Sequence, residues 1–166
     1  MNRFPFRLGS ISTGTLNTGE LLDTFAYAFD HQLRDVPNVA GSQRRLIREC
    51  KAYSALIDAG HVNDDGLEYA SVLLADIMEA MQGFAPAFVR FGAHDGDGAD
   101  FGYWPDIESL DDAVQAGDVL KVSDLCEVPH LYTGEVMVVN DHGNVTLYAH
   151  TGDENNPHAT EMWSCV

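Results

Sequence analysis

The chain has 166 residues with 26 acidic and 9 basic side chains, a formal net charge of −17. This length suits one ordinary domain, and a hydrophobic content of 45% is enough for a packed core, which argues against global disorder. The longest apolar runs cover a few residues, so we expect neither a membrane-spanning helix nor a secretory signal. Three cysteines without metal-type spacing favour a reduced, cytoplasmic protein.

The first half of the sequence has the periodicity of α-helices. After an extended, turn-rich arm of 17 residues, apolar side chains recur at helical spacing from about 19 to 34, with Thr18 as the N-cap. Further helices are predicted over 42–59 and from 63 or 64 to about 83, with glycines as their stops. The apolar stripes expected to face the core are Leu46, Cys50, Tyr53 and Ile57 in the second helix, and Leu67, Ala70, Leu74, Ile77, Met78 and Met81 in the third.

The second half has the alternating periodicity of β-strands. Aromatic-rich runs at 88–91 and 101–104 flank a loop rich in Gly and Asp, which is typical of a β-hairpin. The remaining predicted elements are a short helix at 107–116, strands at 119–122, 135–140 and 144–150, and an edge strand at 161–164.

Together these elements predict an α+β protein, in which about three N-terminal helices precede a mostly antiparallel β-sheet with one short inserted helix. We expect a single domain over residues 1–166, with a helical part at about 18–84 and a sheet-rich, acidic part at about 87–166.

The negative charge is concentrated late in the sequence. Residues 1–60 hold 6 acidic and 7 basic side chains, whereas residues 61–166 hold 20 acidic side chains and only Arg90 and Lys121 as basic ones. We therefore expect an acidic surface on the sheet-rich part, and we expect the molecule to repel the phosphates of nucleic acids rather than bind them.

One short loop has the residue types of a metal site. Oxygen ligands at alternate positions of a Gly-rich loop are what Ca²⁺ needs, although Ala99 and Asp106 stand where the EF-hand pattern requires other ligands. The alternative is a turn in which Asp side chains cap backbone amides. The sequence contains no phosphate-binding loop and no nucleophile elbow, so we predict no catalytic residue and no cofactor. The candidate metal ligands are His94, Asp95, Asp97 and Asp100.

The second predicted helix carries a basic patch. It could bind an anion, or it could pair with the chain's own carboxylates, within the molecule or in a homodimer. The large acidic excess elsewhere favours pairing. The patch consists of Arg44, Arg45, Arg48 and Lys51.

Four segments of the sequence carry a resemblance to known proteins: the Phe91–Pro105 hairpin with its FGAHDGDGADFGYWP run, Gly117–Leu125, the Asp-His-Gly-Asn turn within 139–147, and Thr13–Thr18. Together they resemble a family of small bacteriophage and prophage proteins that has no assigned activity. The resemblance implies an accessory protein that acts in the cytoplasm of a bacterial host.

The preferred hypothesis is a non-enzymatic protein that binds and inhibits a host protein involved in defence or in handling nucleic acids. Carboxylates on a rigid surface can imitate a phosphate array, and association would then be steered electrostatically. One alternative is a metal-dependent hydrolase or metal-stabilised fold that uses the 94–100 loop, with His142 or His150 as a further ligand. Another is a structural or assembly protein of the phage. The candidate partner-binding residues are Asp95, Asp97, Asp100, Asp106, Asp111 and Asp112.

Overall fold

The computed structural model describes residues 6–153 and 157–165; the first five residues of the predicted arm lie outside them. The helices are α1 (Thr18–Gln32), α2 (Gly41–Asp58), α3 (Asp64–Gln82) and α4 (Ile107–Ala116), with short 3-10 turns at Leu33–Asp35 and Leu125–Glu127. The strands are β1 (Gly9–Ser12), β2 (Val89–His94), β3 (Asp97–Pro105), β4 (Val119–Val122), β5 (Gly134–Val139), β6 (Val145–Thr151) and β7 (His158–Cys165).

The predicted α+β class is confirmed, with three long helices before the sheets and one short helix inserted between them. The described strands form two sheets where the sequence predicted one. The first has the order β1-β3-β2 and the second the order β4-β5-β6-β7. Pairing is antiparallel except between β4 and β5, which run parallel. The first hairpin therefore pairs with a strand from the N-terminal arm and not with the later strands.

Side-chain caps mark the starts of α1 and α3, and the N-caps of the three long helices lie within two residues of the predictions. The N-cap of α1 is Asn17 rather than Thr18, because the Asn17 side chain accepts a hydrogen bond from the Glu20 amide at 3.2 Å. Asn63 caps α3 in the same way through the Gly66 amide at 3.0 Å. The N-cap of α2 is Ala40, two residues before the predicted cap Ser42, and it makes no side-chain hydrogen bond.

The buried faces of α2 and α3 differ in part from the predicted stripes. The buried residues of α2 are Ile47, Cys50 and Ser54, so a serine occupies a core position that the apolar pattern assigned to its neighbours. In α3 the predicted Leu67 is 45% exposed, whereas Leu73 is buried. The predicted stripe of α2 was wrong at these positions because the polar Ser54 on its inner face hides the helical phase, whereas the buried residues of α3 are all apolar.

The chain folds into two compact units. The helix–hairpin unit comprises Gly9–Ala85 and Arg90–Trp104, and the sheet unit comprises Met1–Leu8, Pro86–Val89 and Pro105–Val166. The division does not follow the predicted helical and sheet-rich parts, because most of the first hairpin groups with the helices.

Aromatic side chains fill the core of the helix–hairpin unit. Phe25 of α1 is fully buried and meets the ring of Phe91 edge to face, with centroids 5.2 Å apart. The buried Tyr103 hydroxyl donates to the side chain of Gln32 at 3.1 Å and lies 3.2 Å from the Met81 carbonyl oxygen. These contacts attach the hairpin to α1 and α3.

The core of the sheet unit is centred on Trp163 of β7. Its ring is fully buried, and its indole Nε1 donates to the Ala87 carbonyl at 2.9 Å. Leu110 of α4 and Leu147 of β6 are also fully buried. The Phe6 amide donates to the Met162 carbonyl at 2.6 Å, which places Phe6 beside β7.

Candidate functional site

The predicted 94–100 loop is largely strand. Strand β2 continues to His94 and β3 begins at Asp97, which leaves a two-residue turn. The carboxylate of Asp95 pairs with the Arg90 guanidinium at 2.5 Å, and Asp97 accepts a hydrogen bond from the Ala99 amide at 3.0 Å. The Asp100 carboxylate accepts a hydrogen bond from the Ser10 hydroxyl of β1 at 3.0 Å. Each of these carboxylates thus has a different partner, and all three contacts stabilise the hairpin.

The proposed metal ligands do not come together. Across residues 6–153 and 157–165, no group of three or more His, Cys, Asp and Glu side chains is arranged to hold a metal ion. The His94 ring stacks edge to face on Trp104, at 4.7 Å between centroids, and its Nδ1 accepts a hydrogen bond from the Gly96 amide. His150 is buried in the sheet unit, with Nδ1 2.7 Å from the Tyr132 carbonyl oxygen. The turn alternative accounts for the local geometry of the loop.

The later acids of the predicted partner-binding set lie in the sheet unit. Asp106 is the N-cap of α4 and accepts hydrogen bonds from the amide and hydroxyl of Ser109, at 3.0 and 2.7 Å. Asp111 lies 3.7 Å from the Lys121 ammonium group, and Asp112 is exposed. Five of the six predicted residues thus have a local structural contact, and the six are divided between the two units.

The acidic charge is divided evenly between the units. Counted over the sequence, the helix–hairpin unit holds 14 acidic and 6 basic residues, and the sheet unit holds 12 and 3, so their formal charges are −8 and −9. The difference in net charge between the early and late parts of the sequence does not appear between the two units. Acidic residues of α3 and of the first hairpin belong to the same unit as the basic helix α2. An acidic binding surface therefore has to be sought in both units.

The basic patch on α2 is partly neutralised within the molecule. Arg45 pairs with Glu49 one turn later at 2.9 Å, and Lys51 pairs with Asp30 of α1 at 3.1 Å. Arg44 and Arg48 are exposed, and neither forms an ion pair with another described residue. Two of the four residues thus pair with carboxylates of the same chain, but the partners Glu49 and Asp30 belong to residues 1–60 and not to the acidic excess on which the prediction rested.

The sequence analysis missed a candidate binding surface, the acidic face of α3. We define it as Asp64, Asp65, Glu68, Asp76 and Glu79 together with Val72. At 100° per residue these six positions fall within about a third of the helix circumference, opposite the buried face. All five acids are exposed, α3 has no Lys or Arg, and no ion pair within the described chain involves them. The signal was present in the sequence, since this helix contains five acids and no base.

Burial suppresses the ionisation of Cys50 and Tyr103, and neither is suited to nucleophilic catalysis. Desolvation in the core raises the pKa of the Cys50 thiol from 9.0 to about 12, and it raises the pKa of Tyr103 from 10.0 to about 12. Both side chains are almost completely buried. Cys50 is therefore a core residue, as its place on α2 predicts.

These two pKa values predict a loss of stability in alkali. Between about pH 9 and about pH 12, the unfolded chain releases protons that the folded chain retains, so the free energy of unfolding falls as pH rises. Each group contributes a slope of up to about 1.4 kcal/mol per pH unit inside its window. Urea unfolding from about pH 8 to about pH 10.5 measures the slope. We expect Cys50→Ala to flatten it strongly, and Cys126→Ser to flatten it less, because Cys126 is exposed and its pKa is raised by the hydrogen bond to Asp124 rather than by burial; equal slopes in all three proteins would contradict the assignment to Cys50.

Comparison of the chain with protein-family models, with curated proteins and with solved structures found no match. None of the helices in the described ranges combines the length and the apolar content needed to cross a bilayer.

Proposed function

We propose that this chain is a non-enzymatic accessory protein of bacteriophage or prophage origin, which binds a basic, nucleic-acid-binding surface of a bacterial host protein and blocks it. The observation that carries the proposal is the acidic face of α3. The resemblance of the hairpin and turn segments to phage proteins supports the biological context, and the formal charge of −17 supports a basic partner.

The spacing of the carboxylates on α3 supports nucleic-acid mimicry. At 1.5 Å of rise per residue, the pairs Asp65/Glu68 and Asp76/Glu79 are each spaced by about 4.5 Å along the helix axis, and a gap of about 12 Å that contains Val72 separates the two pairs. Phosphates recur every 3.4 Å or so along one strand of a duplex, which is the same order of spacing. A helix packed on a core presents its charges without the conformational cost that a disordered acidic tail would meet on binding.

Exposed apolar side chains near these acids favour a protein as the partner. Val72, in the middle of the acidic face, is 50% exposed, and Leu67 and Tyr69 on the same helix are 45% and 42% exposed. A folded partner can bury such side chains, and their burial adds affinity that does not depend on salt. Binding through this face should therefore combine a salt-sensitive and a salt-insensitive contribution.

The test compares two triple variants that remove the same charge. Glu68→Gln/Asp76→Asn/Glu79→Gln neutralises three acids of the α3 face, and Glu108→Gln/Asp112→Asn/Asp118→Asn neutralises three exposed acids of the sheet unit. Each protein is immobilised on a resin and incubated with nuclease-treated bacterial lysate. The resin is then washed at about 50 or about 300 mM NaCl. We expect wild type and the sheet-unit variant to retain the same host protein at low salt, and the α3 variant to retain about tenfold less.

The retained host protein is then purified and its binding to DNA or RNA is measured with and without this chain. Competition that fades as salt rises supports the proposal. Retention that is indifferent to salt, or equal loss in both triple variants, would count against mimicry through α3. Stoichiometric presence in purified virions would favour the structural role instead.

A further inference from the structure

The helix–hairpin unit has an open surface cavity of about 420 Å³, a volume within the range of small-molecule sites. Ser12 of β1, Glu20 and Asp23 of α1, and Ser54 and Asp58 of α2 line it. In total, its lining includes three carboxylates and five hydroxyl groups, and none of the described residues that line it is Lys, Arg or His. We refer to this cavity as the β1–α1–α2 pocket.

The three carboxylates are not neutralised by the protein. Glu20 accepts a hydrogen bond from the Thr15 hydroxyl at 2.6 Å. Asp23 and Asp58 form neither a hydrogen bond through their side chains nor an ion pair with any described residue. Asp58 is the last residue of α2, where the helix dipole adds partial negative charge and favours a cation. The field inside the pocket is therefore strongly negative.

Ser54 independently indicates a ligand. It lies on the buried face of α2 with Ile47 and Cys50 and is only 5% exposed, yet its hydroxyl has no hydrogen-bond partner among the described residues. Among the described residues, Asp100 Oδ1 is the one side-chain polar atom that is both inaccessible to solvent and without a hydrogen-bond partner. Because the Ser54 hydroxyl also lacks a partner, it must be accessible to solvent. Since Ser54 lines the pocket, that accessible side faces the pocket. Ser12, which is 7% exposed, lines the pocket with an equally unpartnered hydroxyl.

The arrangement fits an organic cation better than a metal ion. The pocket carboxylates do not converge, since no described group of three acidic, His or Cys side chains is placed to hold a metal. A cation with several N–H donors can reach separate carboxylates and hydroxyls at once, and guanidinium and alkylammonium groups have such donors. Ile11, the aliphatic residue of the lining, provides a surface for the carbon chain of such a ligand.

We propose that the β1–α1–α2 pocket binds a guanidinium or alkylammonium group, with Asp23 and Asp58 as charge partners and the Ser54 hydroxyl as acceptor of one N–H. The group can belong to a free polyamine-type molecule or to an arginine side chain presented by a protein. The pocket shares no residue with the acidic face of α3, so each proposal can be tested independently of the other.

Isothermal titration calorimetry of the full chain with agmatine, which has a guanidinium at one end and an ammonium at the other, tests the proposal. A blocked Gly-Arg-Gly peptide tests the protein-borne source. Tetramethylammonium chloride at equal ionic strength is the control, because it has the charge but no N–H donor. We expect saturable binding of agmatine or of the peptide and none of tetramethylammonium; the probe that binds more tightly identifies the source.

Variants then assign the site. We expect Asp23→Asn, Asp58→Asn and Ser54→Ala each to weaken agmatine binding about tenfold, and Asp112→Asn, an equal charge change in the other unit, to leave it unchanged. Ser54→Ala should not lower the urea midpoint of the unliganded protein, because the hydroxyl forms no hydrogen bond with another described residue. Absence of saturable binding by agmatine and by the peptide, or equal weakening by Asp112→Asn, would overturn the proposal.

Discussion

Replacing Trp163 with alanine should destabilise the sheet unit by about 3–5 kcal/mol, the loss typical of removing a large aromatic side chain from a core. Trp163 is fully buried on β7 opposite Leu147 of β6, and its indole donates a hydrogen bond to the Ala87 carbonyl. The substitution opens a cavity and leaves that carbonyl without its donor. Urea unfolding followed by circular dichroism measures the change in free energy.

Two further variants separate packing from hydrogen bonding. Trp163→Phe keeps much of the ring volume and removes the indole N–H, so we expect a smaller loss of about 1–3 kcal/mol. Ser164→Ala, at the exposed neighbouring position, should stay within about 0.5 kcal/mol of wild type. A Trp163→Ala protein as stable as Ser164→Ala would show that β7 does not contribute to the core as described.

Replacing Gly102 with alanine should cost about 3 kcal/mol, because a methyl group at this position has no room. Gly102 of β3 lies opposite Ser10 of β1, and its added Cβ would collide with the carbonyl group of Gly9 and come within 2.9 Å of the Ser10 Cα. These are backbone atoms, which cannot rotate away as a side chain can. Strand β1 would have to separate from β3, and faster hydrogen–deuterium exchange in β1 measures that separation.

Gly98→Ala provides the matched control for Gly102→Ala. Gly98 is in the same strand, and an added Cβ there meets nothing within 4 Å. We expect its stability to equal that of wild type or to rise slightly, since alanine restricts the unfolded chain. Equal destabilisation by both substitutions would mean that glycine flexibility, and not the close approach of β1, matters in β3. Because β1 contributes Ser12 to the β1–α1–α2 pocket, only Gly102→Ala should also weaken agmatine binding.

The sequence predicted the helices well because their signals are local. Caps and the 3.6-residue period depend on neighbours within one or two turns, and all four helices lie within a few residues of the predictions. Strand β1 was missed because Gly9–Ser12 is short, and its only strand-forming influence is pairing with β3 about 90 residues later. The division into two sheets was missed for the same reason.

For a related reason, the sequence could not show which of the predicted site residues lie in the same unit. Charge was counted along the chain, whereas a binding surface depends on which segments fold together. The acids of the 94–100 segment make local contacts in the hairpin, with partners such as Arg90 and Ser10 that sequence spacing does not indicate. The acidic face of α3 was readable from helical periodicity, but the interpretation followed only the apolar side of that helix. Ser54 could not be recognised, since nothing local distinguishes a pocket serine from a solvent-exposed one.

The path of the chain through the two units has a consequence for its synthesis. All segments of the helix–hairpin unit precede residue 105, whereas the sheet unit needs both Phe6 and Met162, whose backbones are hydrogen-bonded. On a ribosome adding about 5–20 residues per second, roughly 3 to 12 s separate the emergence of Trp104 from that of Met162. The helix–hairpin unit can therefore fold while the ribosome is still translating, whereas Phe6 can pair with Met162 only after the later residue has emerged.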